Sequence, residues 1–309
     1  MIHKGEEPPI SGEKGIVNLF FPSCNMQCIY CQNYEISRRG TQGTLRSIDE
    51  VCDSIIELLP LSEGNLGFVS PSHFVLQMIN IVKELWNRGH HPTIIYNSNG
   101  YDSPETIGLL EGIVDVWLPD FKYSDDSLAV ELSEAPGYST IALAAVKAMV
   151  HQVGVTLQTD DRGIARRGII IRHLVLPGFV DNSIGVLKTI AEELSPNLHI
   201  SLMSQYYPPI NFKVSPPKLG GVTISQLADG GGGLSPATRK TINDKRKTRN
   251  LEQGTWNSLS RPITPIEYQK VLDSFHNLGF SRGCVQDYDS HLSYRPDFSK
   301  KDPFEKTDL

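Results

Sequence analysis

Three of the chain's five cysteines, Cys24, Cys28 and Cys31, lie within eight residues in the pattern C-x3-C-x2-C. Thiolates gathered on one loop suit a cluster of soft iron, because they bind the iron and neutralise its charge. A cube of four irons held by three cysteines leaves one iron open to a cofactor or substrate, as a catalytic metal keeps an open position. Zinc fits less well, because no fourth cysteine or histidine pair stands nearby. Three unrelated reduced cysteines in a turn are the remaining alternative.

This spacing resembles the signature of the radical S-adenosylmethionine enzymes. Residues 5–12 read GEEPPISG and residues 31–37 read CQNYEIS. With these flanks, the segment is similar to a branch of uncharacterised iron–sulfur proteins related to the pyruvate formate-lyase activating enzyme. The resemblance extends through about residue 207 and resumes near Arg261, so it covers most of the chain.

The resemblance implies two cofactors: a [4Fe-4S] cluster bound by Cys24, Cys28 and Cys31, and S-adenosylmethionine bound at the open iron. Reductive cleavage of S-adenosylmethionine would then yield a 5′-deoxyadenosyl radical that abstracts hydrogen from the substrate. An electron donor such as flavodoxin or ferredoxin is the implied partner. For the substrate, the named relatives suggest a glycyl-radical enzyme. The alternatives are another peptide, a small molecule, or a role as a non-catalytic iron–sulfur electron carrier.

Composition limits the classes of protein to which the chain can belong. It has 309 residues, of which 39% are apolar and 21% are charged, as in an ordinary globular protein. The net charge of −6 argues against nucleic acid as a partner. No apolar run is long enough to span a membrane, and the polar N-terminus lacks a signal-peptide core. We therefore expect a cytoplasmic protein with reduced cysteines.

Six short apolar runs predict strands, and most are followed by a helical pattern. The runs cover residues 16–21, 65–69, 93–96, 114–118, 168–176 and 199–203. This alternation predicts an α/β fold, an incomplete parallel (β/α)6 TIM-type barrel. Two capping boxes, Ser47 with Glu50 and Thr264 with Glu267, predict helix starts. The cysteine loop then leaves the carboxyl end of the first strand, where active sites of parallel α/β folds form.

The chain divides into three predicted regions. Residues 1–210 form the radical S-adenosylmethionine barrel core. Residues 211–258 are rich in glycine and basic residues with little periodicity, and predict a flexible insertion. Residues 259–309 contribute a C-terminal helix and a polar tail that complete the domain.

Asp120 and Lys122 follow the fourth predicted strand and, two residues apart on an extended segment, point to the same side. The lysine can donate to a carboxylate or ribose, and the aspartate can accept from hydroxyls. The resemblance implies that this pair binds the cofactor; a surface ion pair is the alternative. Arg172 and His173 point to opposite faces of the fifth strand, so one faces the pocket and the other the helices.

The resemblance implies further cofactor-binding residues, mostly at strand ends. Ser70 to His73 stand where activating enzymes carry Gly-Gly-Glu-Pro, so the methionine end of the pocket must differ, and His73 is equally consistent with an exposed cap. For the segment after Asn97, the alternative is a simple turn. For Tyr206 and its neighbour Tyr207, the alternative is packing in the core or at the rim. The complete set is Tyr30, Asn33, Ser70, His73, Asn97, Asp120, Lys122, Arg172, Gln205 and Tyr206.

Other polar residues receive structural interpretations. Glu6 and Glu7 are expected to be a solvated or capping pair, and Cys52, on the apolar stripe of a helix, a buried structural thiol. Cys284 is interpreted as structural rather than as a fourth ligand. No acid–base dyad or Ser–His–Asp set stands out, so no catalytic side chain is assigned; the cofactors would carry the difficult step.

Overall fold

The structure, a computed structural model, describes residues 1–209 and 258–290. The strands are β1 Ile2–His3, β2 Ile16–Phe20, β3 Asn65–Val69, β4 Thr93–Ser98, β5 Val116–Pro119, β6 Gln158–Thr159, β7 Ala165–Leu174, β8 His199–Met203 and β9 Gly283–Val285. The helices are α1 Pro8–Ser11, α2 Tyr34–Ser37, α3 Ile48–Leu58, α4 Val75–Asn87, α5 Pro104–Leu109, α6 Asp126–Ser133, α7 Tyr138–Val153, α8 Val180–Glu193 and α9 Pro265–Asn277, with a 3₁₀ turn at Leu59–Leu61.

The strands form one curled sheet in the order β1-β2-β3-β4-β5-β7-β8-β9, with β6 paired to β7. Every neighbouring pair from β2 to β9 along this path is parallel, whereas β1 and β6 pair antiparallel. The predicted α/β class and incomplete TIM-type barrel are confirmed. No helix in the described parts of the chain is long and apolar enough to cross a membrane.

The two faces of the sheet carry different cores, because side chains alternate along a strand. The larger core lies between the sheet and the helices and contains Tyr96, Trp117 and Leu85. A smaller cluster fills the inside of the curl: Ile10, Ile16, Ile95, Val116, Leu118, Ala165 and Ile170. Ile10 belongs to α1, so the N-terminal segment packs inside the barrel.

Some predicted boundaries differ from the observed ones. The fourth strand was expected at 114–118 and runs Val116–Pro119, and the fifth, expected at 168–176, runs Ala165–Leu174 because a hairpin with β6 extends its start. β9 was not expected; it pairs parallel with β8 and adds a strand beyond the six. The expected insertion at 211–258 falls almost wholly outside the described residues, and the division into three regions stays a prediction.

Both predicted capping boxes are present, at Ser47 with Glu50 and at Thr264 with Glu267. Cys52 is fully buried on α3, and its sulfur lies 3.7 Å from the carbonyl oxygen of Ile81. These surroundings agree with the interpretation of Cys52 as a buried structural thiol.

Candidate functional site

The cysteine loop follows β2 and is held against the carboxyl end of α6. The backbone amides of Gln27 and Ile29 donate to the carbonyls of Ser133 and Leu132, at 3.0 and 2.8 Å. These carbonyls belong to the last turn of a helix, where no intrahelical donor is available. The loop thus satisfies the helix end, and the helix end sets the path of the loop.

Each of the three motif sulfurs has a polar neighbour. Asn99 Nδ2 donates to Cys24 Sγ at 3.4 Å, and Ser133 Oγ donates to Cys28 Sγ at 3.0 Å. Cys31 Sγ lies 3.1 Å from the hydroxyl of Ser37. Hydrogen bonds to cluster sulfurs are a recognised means of tuning iron–sulfur sites.

Burial raises the pKa of Cys24, and raises that of Cys28 to about 12. A thiol in such a site stays protonated unless a nearby positive charge stabilises the thiolate, and cluster iron supplies that charge. Among the described residues no three His, Cys, Asp or Glu side chains lie close enough together to hold a single metal ion. A four-iron cluster binds each cysteine through a different iron, so its ligands need not converge on one point. The donor set therefore fits a cluster.

A charged network occupies the carboxyl end of the barrel interior. Lys122 Nζ lies 2.5 Å from Asp120 Oδ2, and Arg172 Nε lies 3.0 Å from Asp120 Oδ1. Burial alone would raise the pKa of Asp120, but the charges of Lys122 and Arg172 lower it, so the carboxylate is ionised. The three side chains are only 14–18% exposed, so Asp120 and Lys122 belong to a largely buried cluster and not to a surface ion pair. The positive charge of Lys122 also acts on Cys28.

The barrel interior explains why these residues are together. Asn97, Asp120 and Arg172 each lie two positions after an apolar residue of the inner cluster: Ile95, Leu118 and Ile170. Arg172 faces the interior, while His173 faces the helices. The neutral His173 ring donates from Nδ1 to the carbonyl of Phe121 at 2.7 Å and accepts from Ser183 Oγ on α8 at 2.9 Å.

Asn33 and Ser70, both predicted to bind the cofactor, line one small cleft of about 20 Å³ beside the cysteine loop. Ser70 has a φ of 51°, a conformation that non-glycine residues adopt at a cost and that is common at functional sites. Its amide donates to the carbonyl of Asn97 at 2.8 Å, which joins the ends of β3 and β4.

Four other predicted cofactor residues lie in different surroundings. His73 is exposed, and its Nε2 lies 2.8 Å from the carbonyl of Pro22. Tyr206 is fully buried and donates its hydroxyl to the carbonyl of Leu259 at 2.6 Å. Gln205 Oε1 accepts from Gln286 Nε2 at 2.8 Å. The buried Tyr30 hydroxyl lies 2.6 Å from that of Tyr123.

Sequence reasoning missed several residues that contact the site. Tyr123 and Ser133 connect Tyr30 to Cys28, with a Tyr123–Ser133 hydroxyl distance of 2.5 Å. Asn99 was weighed only as part of a turn, although it follows a strand end with other polar residues. Nothing in the local pattern of Ser133, at a helix end, marked it as a neighbour of a cysteine 105 residues away.

Glu6 and Glu7 were expected to be a solvated or capping pair. Glu7 stands at the N-cap of α1 without a side-chain capping hydrogen bond, and neither side chain is solvated. Their side chains are only 10% and 6% exposed, and Glu6 Oε2 lies 3.0 Å from Arg172 Nη1. Glu6 Oε1 also accepts from Asn18 Nδ2 at 3.1 Å. The pair is buried because α1 inserts Ile10 into the barrel interior and carries the preceding residues with it.

Comparison with solved structures supports the fold assignment. A point mutant of spore photoproduct lyase superposes with a TM-score of 0.53, at 11% identity, over 93% of this chain and 79% of that chain. The chain has the fold of the radical S-adenosylmethionine enzymes. This finding confirms the fold that the resemblance implied. Cys24, Cys28 and Cys31, the three ligands that the cofactor prediction requires, are present as free thiols.

Two curated relatives are similar to this chain in sequence. An uncharacterised protein of Methanocaldococcus jannaschii is 27% identical over 220 residues, 70% of this chain. The pyruvate formate-lyase-activating enzyme of Staphylococcus epidermidis is 26% identical over 180 residues, 55% of this chain. The matched regions span 60% and 65% of these relatives. No family model matches the chain.

Proposed function

We propose that this protein is a radical enzyme that binds a [4Fe-4S] cluster through Cys24, Cys28 and Cys31 and binds S-adenosylmethionine beside it. The observation that carries the proposal is the arrangement of the three thiols, each with a polar neighbour, next to the Asp120–Lys122–Arg172 network. When bound, the two cofactors supply reductive cleavage of S-adenosylmethionine and a radical that abstracts hydrogen from the substrate.

The residues of the chain hold and shield these groups. The hydroxyl of Ser133 and the amide of Asn99 donate to two of the cysteine sulfurs, which stabilises their thiolate forms. In the proposal, Lys122 donates to a carboxylate or hydroxyl of S-adenosylmethionine, while Asp120 holds the ammonium group of Lys122 in place. The cleft with Asn33 and Ser70 is the proposed place for the methionine end. Buried aromatic residues, among them Tyr30 and Tyr123, exclude water from this side.

Activation of a glycyl-radical enzyme is the proposed finer function. The similarity to the activating enzyme of Staphylococcus epidermidis supports it. Another peptide or a small molecule is the second candidate, since Ser70 to His73 replace the Gly-Gly-Glu-Pro of activating enzymes. In either case an electron donor such as flavodoxin or ferredoxin and a cytoplasmic location belong to the proposal.

The test is the release of 5′-deoxyadenosine after the reconstituted protein is reduced with dithionite in the presence of S-adenosylmethionine. We expect release from the natural chain. A fully reconstituted cluster that releases none would refute the radical function and favour an electron carrier. Glycyl-radical activation is tested separately, by the electron paramagnetic resonance signal of a glycyl-radical enzyme encoded beside this one.

A further inference from the structure

The N-terminal carboxylates Glu6 and Glu7 lie inside the barrel, under the network that the proposed function assigns to the cofactor. Around Arg172 the described residues place three carboxylates, those of Glu6, Glu7 and Asp120, and two cations, Arg172 and Lys122. With all five groups ionised, this interior carries one negative charge in excess. A buried excess charge is costly unless another group neutralises it.

Among these three carboxylates, Glu7 is the one with an oxygen that lacks a close partner. Its side chain is only 6% exposed, and Oε2 has no hydrogen-bond partner among the residues that the structure describes. The nearest cation, Arg172 Nη1, is 3.9 Å away and already donates to Glu6. Oε2 is therefore an acceptor that points into the interior without a donor.

Backbone contacts fix the position of Glu7 in the chain. The carbonyl of Glu7 accepts from the amides of Ile10 and Ser11, and the carbonyl of Ile10 accepts from Asn65 Nδ2 at 2.9 Å. Ile10 itself is fully buried in the inner cluster. Because α1 is anchored at both its backbone and its side chains, Glu7 cannot turn out to solvent without unpacking the barrel floor.

The surroundings of Glu7 indicate which kind of ligand can bind to its carboxylate. Burial, followed by repulsion from Glu6, raises the pKa of Glu7 against the opposing charge of Arg172 and the hydroxyl of Ser201, and Cys284 faces it from β9. Burial therefore disfavours the ionised carboxylate, and a ligand that offsets this cost must bring positive charge and an N–H donor. A divalent metal ion fits poorly, because it needs several free oxygens and only one is unengaged here.

We infer that Glu6 and Glu7 form a binding site for an organic cation, an ammonium or guanidinium group of the substrate, at the floor of the barrel. The inference rests on the proposed function for calling this ligand a substrate. Glu7 Oε2 accepts from the cation directly. Glu6 binds Arg172 Nη1 at 3.0 Å and so keeps this donor away from Glu7, which makes Glu6 a positioning residue.

The experiment uses agmatine, which carries both an ammonium and a guanidinium, and its neutral counterpart 1,4-butanediol. Binding to the full chain with reconstituted cluster and saturating S-adenosylmethionine is measured by isothermal titration calorimetry. We expect agmatine to bind and the diol not to bind. Glu7→Gln should weaken agmatine binding about tenfold or more, since it removes a charge-assisted contact.

The control variant Glu57→Gln removes an exposed carboxylate on α3 and should bind agmatine as the natural chain does. Failure of the natural chain to bind agmatine, equal binding of the diol, or unchanged affinity in Glu7→Gln would overturn the inference. The comparison of the two probes on the natural chain needs no variant to fold. Binding is measured without radical chemistry, so a lack of 5′-deoxyadenosine release would refute the proposed function and leave this result independent.

Discussion

At the scale of single residues, the environment of Cys28 shows how the barrel changes the pKa of a thiol. Its pKa is raised to about 12, chiefly by burial, while Ser133 donates to the sulfur and Lys122 lies near enough to oppose the rise. Cys52, by contrast, is buried among apolar side chains of α3 and α4 with only a backbone carbonyl near its sulfur. The two cysteines have the same chemistry in the sequence and different partners in the fold.

Cys24→Ala is expected to abolish both the visible absorbance of the cluster and the release of 5′-deoxyadenosine, because two thiolates hold a four-iron cluster poorly. Cys52→Ala is the control, since it also removes a thiol but not a proposed ligand. Visible absorption spectra and product release measure the two effects. Cleavage that persists in Cys24→Ala would show that the ligand assignment is wrong.

Asp120→Ala is expected to keep the cluster and weaken binding of S-adenosylmethionine about tenfold, because it removes the buried carboxylate that holds Lys122 and Arg172 in place. Equilibrium binding of labelled S-adenosylmethionine measures the change. Asp53→Ala, at an exposed ion pair with Arg88, should leave affinity unchanged. If the cluster were lost in Asp120→Ala, the aspartate would have a structural role instead.

At the scale of elements, the ends of β4 and β5 approach closely at Gly100. Gly100 has a φ of 77°, and a Cβ there would lie 2.2 Å from the carbonyl oxygen of Asp120. The same region holds the Tyr138 hydroxyl, which donates to the carbonyls of Asn99 and Asp120 at 2.8 and 3.1 Å. The glycine therefore permits the contact that brings Asn99 to Cys24 and Asp120 to Arg172.

Gly100→Ala should lower the free energy of unfolding by about 2 kcal/mol or more, through backbone strain and the clash with Asp120. Gly108→Ala is the control, because a Cβ there meets nothing within 4 Å and lies in α5. That change should be neutral or stabilising by up to about 1 kcal/mol. Urea unfolding measures both, and equal stability of the two variants would contradict the close approach.

His173 links β7 to α8 and makes stability depend on pH. Burial lowers the pKa of His173 to about 4 from 6.5. The unfolded state therefore takes up a proton below about pH 6.5 that the folded state does not, and stability falls as pH decreases, by about 1 kcal/mol per unit. His173→Gln should reduce this slope between about pH 7.5 and 5.5 in urea titrations, relative to the exposed-histidine control His151→Gln. An unchanged slope would contradict a neutral buried imidazole.

At the scale of the whole molecule, both ends of the described chain contribute to the incomplete barrel. The N-terminal α1 fills the floor, and β9 adds a parallel strand beyond β8. Glu267 at the start of α9 reaches across to the chain after β7: Oε1 accepts from the amide of Gly178 at 2.8 Å, and both carboxylate oxygens accept from Arg261. The capping box of α9 is thus also a tertiary contact.

Glu267→Ala should destabilise the protein more than Glu50→Ala, although each removes one capping box. Glu267 loses the hydrogen bonds to Gly178 and Arg261 as well, a further loss of about 2 kcal/mol or more. Hydrogen bonds from Arg261 are the main cause that lowers the pKa of Glu267 to about 2. Denaturant unfolding of the two variants measures the difference. Equal losses would mean that α9 is capped but not docked through this carboxylate.

Local patterns in the sequence were sufficient to predict much of the fold of this protein. Cysteine spacing predicted the chemistry and the fold family, hydrophobic runs predicted the six strands of the incomplete barrel, and capping boxes predicted two helix starts. These features are local, because caps, runs and a three-cysteine loop involve residues that are neighbours along the chain. The short strands β6 and β9 had no such signal, since their pairing partners supply the structure.

Only the tertiary structure decided which polar residues share the barrel interior. Strand alternation alone did not show which of Arg172 and His173 faces the barrel interior. In the structure α8 packs against His173, so Arg172 faces the interior. Glu6 and Glu7 look solvated in sequence and are buried because Ile10 anchors α1 inside the barrel. Ser133 meets Cys28 because α6 ends at the cysteine loop. The sequence by itself predicted the chemistry of the three cysteines and holds Ser37 close to Cys31, whereas Asn99 and Ser133 come from elements distant along the chain, which only folding brings together.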